Sequence, residues 1–238
     1  SVTMDDLVER GGLTYKKFTQ VPFTGEVMDW IRGEFVDGKR NGPWVTYRED
    51  GQIMSKNNYK NGELDGTSTV YHGNGQLWVK GKYKDGIQHG PFEFYQESGQ
   101  LWSKGSYREG NLDGPSVVFY EGGQLMMNGT YKNGIKDGTW FEYYENGQLY
   151  ETGDYKGGQR EGLWVAYYEE GQPMFRVNLK NGKRDGTAFR HYADGELAGK
   201  TEWQNDKLQP KWECYKKNGQ RWEPIDPTDR SKCGLTNW

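Results

Sequence analysis

Three histidines, His72, His89 and His191, and two cysteines, Cys214 and Cys233, are the nitrogen and sulfur metal ligands of this chain, and no spacing brings them together. A zinc or transition-metal site needs three or four such ligands converging on one point, so no metal is expected. Gly75-Gln76-Leu77-Trp78-Val79-Lys80-Gly81-Lys82 resembles a phosphate loop, but it has one residue too many between its glycines, and Tyr83 stands where Ser or Thr must hold magnesium. A column of carboxylates, Asp65, Asp113, Asp137, Glu161 and Asp185, could serve calcium binding or acid/base chemistry. Its structural reading is stronger, because Asp before Gly is what tight turns select. Lys60, Lys84, Arg108, Lys132, Lys156 and Lys180 run beside it as a charge ladder. No copy sets two carboxylates against a distinct nucleophile. We therefore expect no catalytic residue, no cofactor and no enzyme.

The aromatic residues carry more information. Tyr47, Tyr71, Tyr95, Phe119, Tyr143, Tyr167, His191 and Tyr215 form one column, and Trp44, Phe92, Trp140, Trp164 and Trp212 form another. A third column, Trp78, Trp102, Met126, Tyr150, Met174 and Trp222, varies in size and shares the face of the Tyr71 column. Tyr and Trp dominate protein-binding hot spots, and a single sheet layer leaves one face open. The candidate partner-binding residues are Tyr71, Trp78, Tyr95, Trp102, Tyr143, Tyr150 and Tyr167, on a strip between about residues 71 and 174. The opposite face, with Trp44, Trp140 and Trp164, and the turn edges are the competing surfaces.

These columns exist because the chain repeats. Gly51, Gly75, Gly99, Gly123, Gly147, Gly171, Gly195 and Gly219 recur every 24 residues, and columns at Gly42 to Gly186 and Gly38 to Gly182 keep the same register. Such a period means a stacked array in which each copy buries its apolar surface against its neighbours. Asn146-Gly147 between two aromatic runs predicts a two-residue type I′ hairpin. On that register Tyr143 pairs with Tyr150, and Trp140 faces Gly153. The segment from Gly134 to Gly138 is expected to pass the chain to the next hairpin. The fold class expected is all-β: an elongated single-layer antiparallel meander of about eight 24-residue hairpin repeats. Residues 1–34 form an N-terminal cap with a degenerate half-copy at Pro22-Phe23-Thr24-Gly25, residues 35–222 the repeats, and residues 223–238 a C-terminal tail.

The composition sets bounds. A mean hydropathy of −1.07 would suggest disorder, but 15% aromatic residues supply burial that the index undervalues. A net charge of −3 argues against nucleic acid as a partner. No apolar run is long enough to span a bilayer. An export signal removed from the segment before Ser1 would make the protein exported or periplasmic rather than cytoplasmic, the localisation we expect. Cys214 and Cys233 would then close a loop over the C-terminal end, or remain two free thiols.

The unit Tyr131-Lys132-Asn133-Gly134-Ile135-Lys136-Asp137-Gly138-Thr139-Trp140, followed by Tyr143-Tyr144-Glu145-Asn146-Gly147-Gln148-Leu149, resembles the variant MORN repeat of the bacterial YwqK-type antitoxin family. The likeness covers about residues 13–223. The opening Asp6-Leu7-Val8-Glu9-Arg10, with Tyr15-Lys16-Lys17-Phe18, is similar to the first segment of such proteins. The resemblance implies a MORN-like fold and an antitoxin or immunity protein whose partner is a cognate toxin or effector. Contact with lipid head groups or a membrane, and binding of carbohydrate, are the alternative functions.

Overall fold

The computed structural model describes residues 2–222, and apart from one 3₁₀ turn at Met4–Asp6 its regular structure is entirely β. Two compact units divide the chain, Ser1–Gly114 and Pro115–Trp238. In the first, a hairpin of β1 (Leu7–Arg10) and β2 (Leu13–Lys16) precedes the strands β3 (Gly25–Met28), β4 (Ile31–Val36), β5 (Lys39–Tyr47), β6 (Ile53–Lys60), β7 (Glu63–Tyr71), β8 (Leu77–Lys84), β9 (Ile87–Tyr95), β10 (Leu101–Arg108) and β11 (Asn111–Leu112). The second holds β12 (Gly114–Phe119), which opens on the last residue of the first, then β13 (Leu125–Lys132), β14 (Ile135–Tyr143), β15 (Leu149–Lys156), β16 (Gln159–Tyr167), β17 (Pro173–Lys180), β18 (Lys183–His191), β19 (Leu197–Gln204) and β20 (Lys207–Cys214). From β3 to β10 and from β13 to β20, each strand pairs antiparallel with its sequence neighbours.

The two turns of a repeat exchange the roles expected of them. Asn133 and Gly134 both have positive φ, 50° and 80°, and they join Lys132 directly to Ile135. This is the two-residue loop of type I′. At the other end only Gly147 has positive φ, at 85°. Its N–H donates to Tyr144 O at 2.9 Å, while Tyr144 N–H donates to Gln148 O at 2.9 Å. That is a three-residue loop, a type I turn followed by a left-handed glycine. Asn146 stays at negative φ because its Oδ1 accepts from Gln148 N–H at 2.9 Å, a local bond that fixes the turn.

One extra loop residue should slip every later pair, yet Trp140 does face Gly153. A bulge absorbs the slip. Tyr143 pairs with Leu149, not Tyr150, and Glu142 pairs with Glu151, so Tyr150 is the unpaired extra residue. Met54, Trp78, Trp102, Met174 and Ala198 occupy the same bulge position. A second irregularity lies beyond the type I′ turn. Gly138 belongs to β14 rather than to a turn, and at φ 73° it makes room for three residues opposite Gly129.

The core lies on one face of each unit and is built from the strands' own side chains. Trp140 and Trp164 are 2% exposed. Each indole lies over a glycine of the preceding strand. A Cβ added to Gly129 would come within 2.2 Å of the Trp140 ring, and one added to Gly153 within 2.3 Å of Trp164. Trp140 therefore covers Gly129, the glycine before it in sequence, although its ladder partner is Gly153, and Trp164 covers Gly153 although its ladder partner is Val177. Tyr131, Trp140, Tyr155 and Trp164 continue as an edge-to-face series, with centroids 5.0, 6.1 and 5.1 Å apart. Lys136 and Arg160 sit 4.1 and 4.0 Å from the Trp140 and Trp164 centroids.

In the first unit Trp44 covers Gly33 in the same way. Leu7, Val27, Ile31 and Phe35 join it in a buried cluster, with Met4 and Phe23 packed alongside. The N-terminal segment thus closes the Trp face of the first copy. At the far end Cys214 is buried and disulfide-bonded, with Trp212 and Trp222 packed on it. Trp222 therefore joins the Trp212 cluster instead of extending the Trp78 column. Cys233 and the tail lie outside the described residues.

Gly129→Ala and Gly153→Ala should each destabilise the second unit by about 2–4 kcal/mol, because a methyl group there displaces a buried ring. Gly81→Ala, whose nearest atom would be 3.8 Å away, is the control. It should change stability by no more than about 0.5 kcal/mol. Urea unfolding of the three variants checks the ranking.

Candidate binding face

The seven residues picked out as partner-binding do not share one face: Tyr71, Tyr95, Tyr143 and Tyr167 lie opposite the tryptophan core, whereas the bulge turns Trp78, Trp102 and Tyr150 toward His72, Phe94 and Tyr144, which alternate onto the core side. Four of them lie in the first unit and three in the second. Trp78 and Trp102 stand on their bulges at 48% and 50% exposure. Trp78 lies 5.7 Å from the His72 ring, and Trp102 lies 6.2 Å from Phe94. Tyr71 and Tyr95 are half-buried, and the Tyr95 hydroxyl donates to Glu93 Oε2 at 3.1 Å. In the second unit Tyr143 and Tyr167 are half-buried, and Tyr150 packs edge-on against Tyr144 at 5.0 Å. Trp44, Trp140 and Trp164 of the competing face are core.

Sequence reading missed the residues that hold the face rigid. At six of the positions that follow the ladder column, the side chain reaches across one full repeat to a backbone carbonyl. The hydroxyls of Tyr120, Tyr144, Tyr168 and Tyr192 donate to the carbonyls of Tyr143, Tyr167, His191 and Tyr215 at 2.6–2.9 Å. Arg48 donates to Tyr71 O at 2.8 Å, and His72 Nε2, in the tautomer that carries its proton there, donates to Tyr95 O at 2.9 Å. The signal was present as a 24-residue column of long polar-tipped side chains, Arg48, His72, Tyr120, Tyr144, Tyr168 and Tyr192. The opposite edge is stitched by backbone, as in Gly182 N–H to Arg160 O at 2.9 Å. There the acidic column does structural work: Glu161 Oε2 accepts from Asn181 N–H at 2.8 Å, and Asp113 pairs with Arg108 at 3.0 Å.

One carboxylate departs from the exposed pattern. Glu151 is 6% exposed on the tryptophan face, 2.6 Å from Arg160. Burial raises its pKa, and the Arg160 charge pulls in the opposite direction. Glu151 is thus the buried ion-pair partner of Arg160, whose guanidinium also lies over the Trp164 ring. Among the described residues no group of three His, Cys, Asp or Glu side chains converges as a metal site would require.

The tyrosine stitches titrate. Burial raises the pKa of Tyr144, with Tyr150 and Glu169 adding to the shift. A folded-state pKa above the unfolded value stabilises the fold below about pH 10, and this contribution is lost as pH rises through the raised value. Tyr144→Phe should cost about 1 kcal/mol at neutral pH, the worth of one hydrogen bond, and should soften the loss of stability on the alkaline side. Denaturation midpoints at neutral pH and above about pH 10 measure both effects.

Comparison with known proteins agrees with this geometry at the level of the repeat. No curated protein matches the chain. Solved structures similar to it include crystal structures of TcdB2–TccC3–Cdc42 and of TcdB2–TccC3. The first is 12% identical over 78% of this chain at a TM-score of 0.20, the second 11% identical over 77% at 0.17. This chain spans only 13% and 14% of theirs, and at those scores the likeness bears neither on its fold nor on its role. The family model described as MORN repeat variant matches residues 40–61, 64–85, 88–109, 112–133, 136–156 and 160–181. With more than half of its length matched, in the register of the hairpins seen in the structure, this chain belongs to the MORN repeat variant family.

Proposed function

We propose that this protein is a non-enzymatic binding scaffold that neutralises a bacterial toxin or secreted effector by covering part of its surface. The observation that carries this reading is the bulge column. Trp78 and Trp102 are half-exposed on strands whose neighbours are stitched at both edges, so large rings are displayed on a backbone that does not have to be ordered on binding. Trp and Tyr are the side chains from which interface hot spots are made. The antitoxin role itself rests on the resemblance of the repeat unit to the YwqK-type family. A partner protein is the occupant that both considerations favour.

The test is co-expression with the product of the neighbouring gene. A neighbour that is toxic alone, and is rendered harmless in a stable complex with this chain, supports the reading. A neighbour with neither property overturns it. Given a complex, Trp78→Ala or Trp102→Ala should weaken binding by about 1–2 kcal/mol, as hot-spot truncation does, while the melting temperature stays within a few degrees. Lost stability with unchanged affinity would instead make these rings part of the packing.

A further inference from the structure

We propose that the N-terminal segment and the first two copies frame a binding site for a small carboxylic acid with an apolar body, whose carboxylate Arg40 holds. The inference is independent of the protein-binding reading above. On the tryptophan side of the first unit, a cavity of about 490 Å³ lies between the N-terminal segment and the turns at Gly38 and Gly62. That volume falls within the roughly 300–1,000 Å³ of small-molecule sites. Met4, Leu7, Phe35 and Tyr59 give it apolar walls, and Arg40 is set among them. The Arg40 guanidinium lies 4.7 Å from the Trp44 ring centroid and 5.3 Å from that of Tyr59, and its Nη1 donates to the Tyr59 hydroxyl at 3.2 Å. These contacts fix the group in place without neutralising it.

The same column in the second unit shows what such a cation takes. Arg160 pairs with Glu151 at 2.6 Å, and Arg184 pairs with Asp206 at 2.8 Å. Carried back by whole 24-residue copies onto Arg40, the places of those two carboxylates hold Ile31 and Gly62. Neither side chain carries a charge, and among the described residues Arg40 takes part in no ion pair. The backbone is alike in both copies. Gly62 N–H donates to Arg40 O at 2.9 Å, as Asp206 N–H does to Arg184 O at 2.9 Å. Gly62 thus stands where an aspartate would reach back to the arginine, and it lines the cavity instead. Lys136 also lacks both carboxylates, but there the space is filled. A Cβ added to the equivalent Gly158 would come within 2.6 Å of Ile135, whereas one added to Gly62 would meet nothing closer than Lys39 Cβ at 3.7 Å.

The ligand's chemistry follows from the place it fills. Asp206 Oδ1 accepts from Arg184 Nε at 2.8 Å, and the Arg40 fork offers the same donor to a planar acceptor with two oxygens. Glu9 and Glu63 also line the cavity, both exposed, and they oppose a second negative charge. A monocarboxylate therefore suits the site better than a phosphate dianion. The apolar walls match a hydrocarbon body.

NMR titration of the full chain, following the Arg40 Nε–H signal, tests the proposal. The probe is 3-phenylpropionate and the control its amide. The acid should bind at least about tenfold more tightly, as a charge-assisted hydrogen bond requires. Arg40→Gln should abolish that preference, and Arg32→Gln, on the opposite face, should leave it unchanged. Gly62→Asp is the sharper variant. Asp206 has φ 63° at the equivalent place, so the backbone there accepts aspartate, and the new carboxylate should occupy Arg40 from within. This variant should lose the acid's advantage while keeping its melting temperature. Should it fail to fold, Arg40→Gln decides alone. Equal binding of acid and amide, or an undiminished preference in either variant, overturns the proposal. So does tighter binding of inorganic phosphate than of the acid. Acetyl-alanyl-phenylalanine, with its C-terminus free or amidated, separates the sources. If its free form outbinds 3-phenylpropionate, the site is supported as one for a peptide's carboxyl end, and the reverse order supports a free small acid.

Discussion

An indole ring resting on a glycine backbone holds these units together. A single layer of sheet has no second layer to bury against, so its apolar face must be covered by its own side chains. Trp140 on Gly129 and Trp164 on Gly153 achieve this because the absent Cβ lets a large ring lie within the thickness of the sheet. Tyr131 and Tyr155 fill the space between rings edge-on, and Lys136 and Arg160 close over them with charge that remains partly solvated. A core of this kind needs few aliphatic residues. It explains how a chain of strongly negative mean hydropathy folds.

Everything else in the repeat keeps that stack in register. The three-residue loop at Gly147 would slip the ladder, and the bulge at Tyr150 cancels the slip, so Trp140 still meets Gly153. The bulge side chain drops out of the ladder pairing, and its size varies from copy to copy, as at Met54, Trp78, Tyr150 and Ala198. Stitches of unlike chemistry, a tyrosine hydroxyl at one edge and a turn amide at the other, bind each copy to the next. Each copy is thereby held in place by its neighbours.

The ladder and the bulge accordingly divide the work. Trp44, Trp140 and Trp164, each over a glycine, build the stack, and Ser68, Ser116 and Ala188 stand in the same column where no large ring is present. The bulge residues that vary, Trp78, Trp102, Tyr150 and their neighbours, stand where variation costs little stability. At the bulge, Trp78 and Trp102 of the first unit are exposed, whereas Met126, Tyr150 and Met174 of the second are half-buried. A repeat scaffold acquires specificity in this way, by altering surface positions that the array's nearest-neighbour packing does not depend on.

Fold class and the separation of the Tyr143 column from the Trp140 column were legible in the amino-acid sequence, because a glycine period of 24 and strand alternation are properties of the chain itself, but the bulge that turns Trp78 and Trp102 toward His72 and Phe94 was not. Membership of a turn type was not. Asn146-Gly147 has the residues of a type I′ loop, but Asn146 spends its side chain on Gln148 N–H and keeps negative φ, while Asn133-Gly134 takes the primed turn. Trp140 faces Gly153 as the register requires, but its ring lies on Gly129, since a register names ladder partners and a ring's tilt is decided by packing. The tyrosine stitches escaped notice for the same reason: a hydroxyl reaching a carbonyl 23 residues away exists only once the copies are stacked. Sequence periodicity determined which residues share a face wherever the ladder is regular. Tertiary packing decided which face is core and which is surface, because only the assembled layer shows where an indole finds a bare backbone to lie on.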